Sequence, residues 1–406
     1  MGRVVAVVVL ALLIRAAACV AGMVPEPPHD AIYYDLMVRQ LLGEGVFGYK
    51  SEEPNAYVTP GYPLFLAALY SVFGWREASP VTAVLWVQVV LDALTAGLIV
   101  LAGRRLGSRR AGVVAGVAWA LYPGLVFLPL YLLTETLFLF LLVLLTLVLL
   151  RAVDESGGRS GRWWAAVGGL AALVALVRPV AAPLLGVTWL WEAWRRKRAE
   201  PGAGRRASLA RVVLISGAAF VAVMLPWWIR NALVLGEVVL LATQTGNPLL
   251  AGAFPAGELP RGIPTEAGAQ LAFALQAIVR GFAEQPAAYL YWFTVGKLLR
   301  LLGSPFYTPA YRELAQLVHF LTVPVGLWGM IYRLPQRPGH RPGAQLLAWL
   351  AVAIIGLHLP FVPENRFALS SLPWLFLLGG LLVDDVLRAG EGGGFDEGSD
   401  RDSRLQ

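Results

Sequence analysis

The chain has 406 residues, of which 57% are hydrophobic and only 15% are charged, and its mean hydropathy is +0.64. A water-soluble domain carries roughly 25% charged residues, so this composition excludes an ordinary soluble protein and indicates a chain that crosses a bilayer repeatedly. The net charge of +7 lies in short basic segments between apolar runs, a distribution that argues against a nucleic-acid-binding face.

Apolar length predicts about ten membrane-spanning helices. They cover residues 4–23, 81–102, 111–129, 132–150, two short helices within 163–194, 209–229, 314–332, 345–358 and 372–387. The two helices within 163–194 meet at Arg178-Pro179, because proline disfavours helix at the residue before it. With ten crossings, every arginine-rich segment falls on the side of the two termini, which the positive-inside rule assigns to the cytoplasm of a plasma-membrane protein.

The N-terminal segment could be either a cleaved signal peptide or an uncleaved first helix. It has a basic start, an apolar stretch and Ala-Ala-Ala-Cys at 16–19, faintly like a lipoprotein cleavage site, but Arg15 directly before that motif fits poorly. We therefore expect an uncleaved first helix. Cys19 is the single cysteine, which excludes an intramolecular disulfide.

Three segments fall outside the cell in this topology: residues 24–80, 230–312 and 359–371. They contain amphipathic or short apolar stretches at 33–42, 60–74, 267–282 and 289–302, which we expect to lie at the membrane interface, although whether 60–74 spans stays open. Residues 1–388 thus form one transmembrane domain, and the Gly- and acid-rich residues 389–406 are expected to be a disordered cytoplasmic tail.

Ionisable residues cluster in or beside the outer segments, where charge near hydrocarbon is costly and therefore suggests function. The set is Asp30, Asp35, Glu135, Arg178, Arg230, Lys297, Glu364 and Arg366. A carboxylate that accepts a proton, close to arginines that hold a phosphate, is what a transferase acting on a phosphorylated lipid needs.

Each of these residues also has a purely structural explanation. Asp30 suits the N-cap of a helix over 31–42, Asp35 suits a solvated face, and Glu135 suits a helix dipole. Arg178 and Arg230 suit snorkelling to headgroups, and Lys297 suits attraction of anionic lipid. Arg15, inside the first span, could pair with Asp92 of the second span or snorkel to the outer end of its helix, and the sequence does not separate these two explanations. His319 and His358 are single histidines on apolar faces, which we expect to be ordinary core residues.

A series of motifs resembles the membrane glycosyltransferases of the GT-C fold, in particular the dolichyl-phosphate-mannose protein mannosyltransferases and the aminoarabinose transferase of lipid A. The first outer loop has an acidic residue, an aromatic about four residues on, a Leu-Leu-Gly-x-Gly turn, and Pro60-Gly61-Tyr62-Pro63 followed by an apolar run. In order, further matches are Leu133-Thr134-Glu135, Val177-Arg178-Pro179, Pro226 to Asn231, and Glu364-Asn365-Arg366. One departure is His29-Asp30, where many relatives have an acidic pair.

The resemblance implies an all-α, GT-C-like bundle that transfers a sugar, with inversion, from a polyprenyl-phosphate donor to an acceptor hydroxyl on the extracytoplasmic side. By this reading Asp30 is the general base, and Arg366, Arg230 and Arg178 hold the donor phosphate. Glu135, Tyr62, Tyr34 and Glu364 contact sugar or acceptor. The sugar and the acceptor, whether glycan, lipid or protein, are not specified.

No cofactor is expected. No metal-ligand spacing is present, although Asp30 with Asp35 could in principle hold the divalent cation that some relatives use. Two other function classes remain as alternatives: a transporter or flippase of a lipid-linked or amphipathic substrate, and a lipid-linked sugar polymerase or ligase. A transporter usually places its ionisable residues at mid-membrane depth, where this chain has only Arg15 and Asp92.

Overall fold

Helices make up nearly all of the protein that the structure describes. This computed structural model describes residues 1–23, 29–76, 79–155, 160–198, 204–244, 246–255, 259–260, 262–264, 267–306, 312–335 and 342–392, and there is no β-strand among them. The first half of the chain comprises α1 (Gly2–Val20), α2 (His29–Glu44), α3 (Gly61–Phe73), α4 (Val81–Arg105), α5 (Arg109–Leu121), α6 (Pro123–Phe127), α7 (Thr134–Asp154), α8 (Ser160–Val177) and α9 (Leu184–Arg198).

The second half continues with helices of more varied length. They are α10 (Gly204–Leu235), α11 (Gly246–Ala253), α12 (Ala267–Glu284), α13 (Pro286–Tyr291), α14 (Lys297–Leu302), α15 (Arg312–Arg333), α16 (Pro342–His358), α17 (Asn365–Ala368) and α18 (Leu372–Gly392). The last helix therefore includes residues 389–392, which we had assigned to a disordered tail, and the remainder of that tail lies outside the described residues.

All ten predicted spans coincide with helices, but not all of those helices are long enough to cross a bilayer alone. Within the described residues, six helices are long and apolar enough to cross a membrane. The number is seven if the bent pair α5–α6 counts as one span. The predicted fifth, sixth and ninth spans correspond to α8, α9 and α16, which fall short. A 15-residue helix such as α9 reaches only about 22 Å, against about 30 Å of hydrocarbon.

The predicted third span is bent rather than straight. α5 ends at Leu121, α6 starts at Pro123, and the two axes differ by 63°. Proline at the first position of α6 explains the break, because its ring fixes φ and it has no N–H to continue the α5 hydrogen-bond ladder. Arg178-Pro179 breaks the chain between α8 and α9 as predicted, with a 3-10 turn over Pro179–Ala181.

The helices of the bundle approach one another closely through glycine. A Cβ atom at Gly168 of α8 would lie 1.9 Å from the Ser216 carbonyl oxygen of α10, and one at Gly61 would lie 2.7 Å from the Leu176 carbonyl oxygen. Small residues at such crossings allow the backbone contact that holds membrane helices together. The Gly61 contact seats the start of α3 against the end of α8, next to Arg178.

An ion pair inside the bundle joins α1 to α4. Arg15 is 0% exposed, and its Nε donates to the Asp92 carboxylate, while its terminal nitrogens donate to the carbonyls of Ala120 at 3.0 Å and Trp119 at 3.2 Å. The suggested pairing of Arg15 with Asp92 is therefore confirmed. Both charges are compensated, which is what a buried ion pair needs to be tolerated.

The segments predicted to lie outside form helices where amphipathic or short apolar stretches were predicted, namely α2, α3, α12 and the run from α13 through α14. α3 has 13 residues, about 20 Å of helix, so it is too short to span. Lys297 corrects another expectation. Instead of reaching for lipid headgroups it is buried, and its Nζ donates to the carbonyls of Leu359 at 2.7 Å and Pro360 at 3.0 Å.

Candidate functional site

A cavity of about 410 Å³ opens where the starts of α2, α7 and α17 meet the ends of α8 and α16. Its polar wall contains two carboxylates and two guanidinium groups, and most of the remaining wall is apolar. The lining consists of Asp30, Tyr34, Val58, Thr59, Leu133, Thr134, Glu135, Val177, Arg178, Pro179, Val180, Ala182, Pro183, Leu241, Ala242, Gln244, Pro248, Leu357, His358, Phe361, Arg366 and Phe367.

Asp30 lies in the first turn of α2 and projects into this cavity. The helix begins at His29, so Asp30 is not the N-cap that one structural explanation predicted, although a carboxylate in the first turn still complements the helix dipole. Its Oδ1 accepts a hydrogen bond from the Tyr49 hydroxyl at 3.2 Å, and its Oδ2 accepts one from Arg366 at 3.0 Å. The carboxylate is about one third exposed, so solvent and solutes reach it.

Arg366 reaches Asp30 from α17, a single helical turn between α16 and α18. Its Nε lies 2.6 Å from the Glu364 carboxylate, on the residue directly before that turn. Asn365 anchors the turn by donating to the Ser304 hydroxyl at 2.5 Å. The guanidinium is thereby fixed between two carboxylates, one inside the cavity and one at its rim.

Glu135 and Arg178 form the second ion pair of the cavity, on α7 and at the break after α8. Arg178 also donates to the Thr134 hydroxyl at 3.3 Å, and this hydroxyl donates to Glu135 at 3.1 Å. Phe138 and Phe367 lie under the guanidinium at 5.6 and 5.4 Å from their ring centres. Stacking and pairing together hold the Arg178 side chain in the cavity wall instead of letting it snorkel to the surface.

The two tyrosines that were predicted to contact sugar or acceptor, Tyr34 and Tyr62, lie one behind the other. Tyr34 lines the cavity, and Tyr62 lies behind it with the rings edge to face at 5.1 Å. Tyr62 is fully buried and donates to Gln88 Oε1 at 3.0 Å, and Gln88 in turn donates to the carbonyls of Pro129 and Tyr131. Tyr62 therefore supports the turn that leads into α7 and Glu135, and it is not part of the cavity wall.

The structure does not bring Arg230 or Glu364 into the cavity wall. Arg230 donates to the carbonyls of Asn55 at 2.9 Å and Phe47 at 3.3 Å, and it stacks on Phe47 and Trp227. It thus anchors the loop that carries Tyr49 and is not among the residues that line the cavity. Glu364 contributes only through its ion pair with Arg366.

The phenols near Asp30 stay protonated. Burial raises the pKa of Tyr34 above its ordinary value, and the Asp30 and Glu135 carboxylates raise it further. Burial also raises the pKa of Tyr49, followed by the effects of Tyr34 and Asp30. Neither hydroxyl can act as a base near neutral pH, so of these three groups only the Asp30 carboxylate can accept a proton.

Tyr49 reaches the site without having been singled out from the sequence, whereas Thr134 was named only as part of a motif and His358 only as a core histidine. Tyr49 comes from the loop after α2, and its position depends on contacts that no local pattern reveals. His358 is a buried histidine, as expected for one in a core, but it also lines the cavity and stacks on Phe367 with the ring centres 5.5 Å apart.

Asp35 and Asp30 do not converge. Asp35 accepts hydrogen bonds from Tyr70 at 2.5 Å and from Arg39 at 2.9 Å, so it is partnered and not a solvated face residue. Over the described residues, no three His, Cys, Asp or Glu side chains are grouped as a metal site would require.

The fold is that of the GT-C membrane glycosyltransferases. ArnT from Cupriavidus metallidurans, bound to undecaprenyl phosphate, matches 97% of this chain with a TM-score of 0.59 and 15% identity, over 62% of its own length. The oligosaccharyltransferase of Archaeoglobus fulgidus in its apo form matches 96% with a TM-score of 0.57 and 14% identity, over 52% of its length. Its complex with an inhibitory peptide and dolichol-phosphate matches 96% with a TM-score of 0.56 and 17% identity.

At the sequence level, residues 57–230 match the family described as dolichyl-phosphate-mannose-protein mannosyltransferase. The similarity inferred from the motifs is thus confirmed. A search of curated proteins returned no match. The chain spans 62% and 52% of the lengths of the two structural relatives, so their complete activities do not transfer to it directly.

Proposed function

We propose that this protein transfers a sugar from a polyprenyl-phosphate donor to an acceptor hydroxyl, with Asp30 as the general base, in a cavity on the extracytoplasmic side of a cell membrane. The observation that carries this proposal is the contact between Asp30 and Arg366 inside the cavity at 3.0 Å. It places a proton acceptor beside a cation suited to phosphate, in a pocket whose apolar walls suit a lipid.

The reaction follows from these groups. The acceptor oxygen attacks the anomeric carbon while its proton passes to Asp30, and the bond from that carbon to the phosphate oxygen breaks. The bonding electron pair leaves with the lipid phosphate. Arg366 and Arg178 stabilise the charge that develops on it, since fixed guanidinium groups in a partly dry site are strong electrostatic partners. Attack opposite the leaving phosphate inverts the anomeric configuration.

The ion pairs of the cavity indicate how the base would become available. Arg366 and Arg178 are both engaged by carboxylates: Asp30, Glu364 and Glu135. A donor phosphate competes with Asp30 for Arg366, so donor binding releases the carboxylate for the acceptor. Glu135, beside Arg178, is then placed to orient the sugar hydroxyls, with Tyr34 as the aromatic wall.

The test compares Asp30→Asn with Asp35→Asn in proteoliposomes supplied with a panel of polyprenyl-phosphate sugars. Both variants remove one carboxylate from α2, but Asp35 faces Tyr70 and Arg39 outside the cavity. We expect Asp30→Asn to lower kcat by at least about 100-fold, the lower end of the range for a general base, without raising KM for the donor. Asp35→Asn should retain transfer to within a few fold.

Full transfer by Asp30→Asn would remove Asp30 from the mechanism. Transbilayer movement of intact donor, with no glycosylated product from any acceptor, would replace the transferase with a flippase.

A further inference from the structure

A second cavity lies at the other end of the helix bundle. Its volume is about 730 Å³, and its lining residues come from α4, α7 and α8. α7 has Glu135 in its first turn, inside the candidate site, and Arg151 in its last turn, beside this second cavity. At 1.5 Å per residue, Glu135 and Arg151 are about 24 Å apart along α7, so the second cavity is a separate place.

The polar part of this cavity consists of Arg104, Arg105 and Arg151. The Nε atom of Arg104 and the indole nitrogen of Trp163 are buried and have no hydrogen-bond acceptor among the described residues. The Nε atom of Arg151 is also buried, and its only partner there is the ion pair with Glu155 at 3.4 Å. Buried donors are almost always paired in proteins. Two buried N–H groups without an acceptor, in a cavity that three guanidinium groups line, therefore point to an external acceptor that has several oxygen atoms.

The charge at this place remains positive after its acidic neighbours are included. Glu155 lies 3.4 Å from Arg151 and 4.0 Å from Arg162, and Asp154 is the residue before it. Four guanidinium groups thus face two carboxylates. The balance favours an anion, and a phosphate suits the multiple N–H donors of arginine.

The remaining wall is apolar and belongs to the lipid-facing part of the helices. Leu101, Leu147 and Val148 line it and are each partly exposed. Trp163 closes the polar end, with the guanidinium of Arg151 lying 5.5 Å from its ring centre. A cationic rim above an apolar wall, at the boundary of a membrane helix, has the two-part chemistry of a phospholipid: an anionic headgroup and an acyl chain.

We propose that this cavity binds an anionic phospholipid of the surrounding bilayer, with the headgroup phosphate between Arg104 and Arg151 and an acyl chain along Leu101, Leu147 and Val148. The site is distinct from the proposed transfer site and does not depend on its chemistry. Because α7 and α8 run from this lipid to Glu135 and Arg178, the lipid steadies both helices that form the second ion pair of the candidate site.

The test is binding to the purified, delipidated protein in detergent, measured by native mass spectrometry. Phosphatidylglycerol, phosphatidylcholine and inorganic phosphate are the three probes. Wild type should bind phosphatidylglycerol in preference to the other two. Arg104→Gln/Arg151→Gln should bind it on the order of tenfold more weakly, as expected when two arginines near a headgroup are lost.

The matched control is Arg109→Gln/Arg110→Gln, which removes the same charge just beyond α4 but outside the cavity lining. It should bind phosphatidylglycerol like wild type. Val148→Phe tests the apolar half, because it narrows the acyl-chain path and leaves the arginines in place. This variant should bind phosphatidylglycerol more weakly than wild type and should bind inorganic phosphate as wild type does. Unfolding temperatures in lipid-free detergent show that each variant is folded.

If the two double variants lose binding of phosphatidylglycerol equally, the proposed site is wrong, because the loss would then follow from the lower net charge of the protein and not from the arginines of this cavity. Equal binding of inorganic phosphate and phosphatidylglycerol, unaffected by Val148→Phe, would make the cavity an anion site and overturn the lipid assignment.

Discussion

Within the candidate site, each charged side chain is held by a partner from a distant part of the chain. Arg366 meets Asp30 across 336 residues of sequence, and Arg178 meets Glu135. Such pairing fixes side-chain rotamers before any ligand arrives, which lowers the entropy lost on binding. It also means that removing one residue leaves a partly buried partner uncompensated, so activity and stability must be measured together.

The buried pair Arg15–Asp92 provides a clear stability prediction at the residue scale. Asp92→Leu leaves the Arg15 guanidinium without its counter-charge in the bundle, and should destabilise the protein by about 3–5 kcal/mol. The double variant Arg15→Leu/Asp92→Leu should recover most of that loss, because neither charge then remains buried. Thermal unfolding of the variants in the same detergent measures both effects.

The exposed pair of Arg110 and Glu391 is the matched comparison, with a 2.8 Å contact and both side chains more than half exposed. Arg110→Leu should lower stability by no more than about 1 kcal/mol. If Asp92→Leu proves equally mild, or the double variant is less stable than the single one, the pair does not stabilise the bundle as described.

At the scale of elements, Lys297 connects α14 to the turn before α17. Its Nζ bridges the Leu359 and Pro360 carbonyls and lies 3.8 Å from the ring centre of Phe293. Nearby, the Trp292 indole donates to the Gly252 carbonyl at 3.0 Å, and Val362 N–H donates to the Pro248 carbonyl at 2.9 Å. These contacts place α11 and α14, with the segment that joins α13 to α14, against the segment that leads to Arg366.

Lys297 predicts a pH dependence of stability. Burial lowers the pKa of Lys297 from its ordinary 10.5 to about 7 in the folded protein. Between these two values the unfolded chain binds more protons than the folded one, so this residue's contribution to stability rises with pH across that window. The unfolding temperature of wild type, minus that of Lys297→Met, should therefore increase from pH 6 to pH 9.

The comparison with Lys297→Met isolates this residue, since all other titrating groups are common to both proteins. A difference that stays flat, or that falls as pH rises, would show that Lys297 keeps an ordinary pKa in the folded state.

The positions of the helices could be read from the sequence better than their lengths. Pro179 ended α8 as expected, because proline acts locally through its ring and its missing N–H. The break at Tyr122-Pro123 was missed, since an apolar run conceals a bend. α9 was predicted correctly as a helix but wrongly as a span. It begins only at Leu184 and its last turn is basic, so its apolar part is short, and the position of its first residue was not evident from the sequence.

The same distinction explains which site residues could be found. Asp30, Glu135, Arg178 and Arg366 stand next to helix ends, where a charge among apolar residues is conspicuous. Arg230 is equally conspicuous at such an end, yet it turns toward the Asn55 and Phe47 carbonyls. The direction of its side chain, like the approach of Tyr49 to Asp30, is set by tertiary contacts between loops, and no spacing rule encodes them.

At the scale of the whole molecule, the orientation in the membrane can be tested directly. Cys19→Ser provides a cysteine-free background, into which Ser51→Cys and Arg109→Cys each introduce one exposed thiol. If both termini are cytoplasmic, a membrane-impermeant maleimide should label Ser51→Cys in intact cells and Arg109→Cys only after permeabilisation. The opposite labelling pattern would place the candidate site on the cytoplasmic side.

The ion pair between α1 and α4 also bears on how the chain enters the membrane during synthesis. The inward stripe of α1, Val7, Ala11, Arg15 and Ala18, is complete long before Asp92 leaves the ribosome. An unpaired arginine at the centre of a helix opposes insertion by about 2.5–3.5 kcal/mol, and Arg15 lies about one turn from the centre of α1, so this figure is an upper limit for it. We therefore expect α1 to reach its stable, ion-paired position in the membrane only after α4 has also been inserted, although the two helices are far apart in the nascent chain.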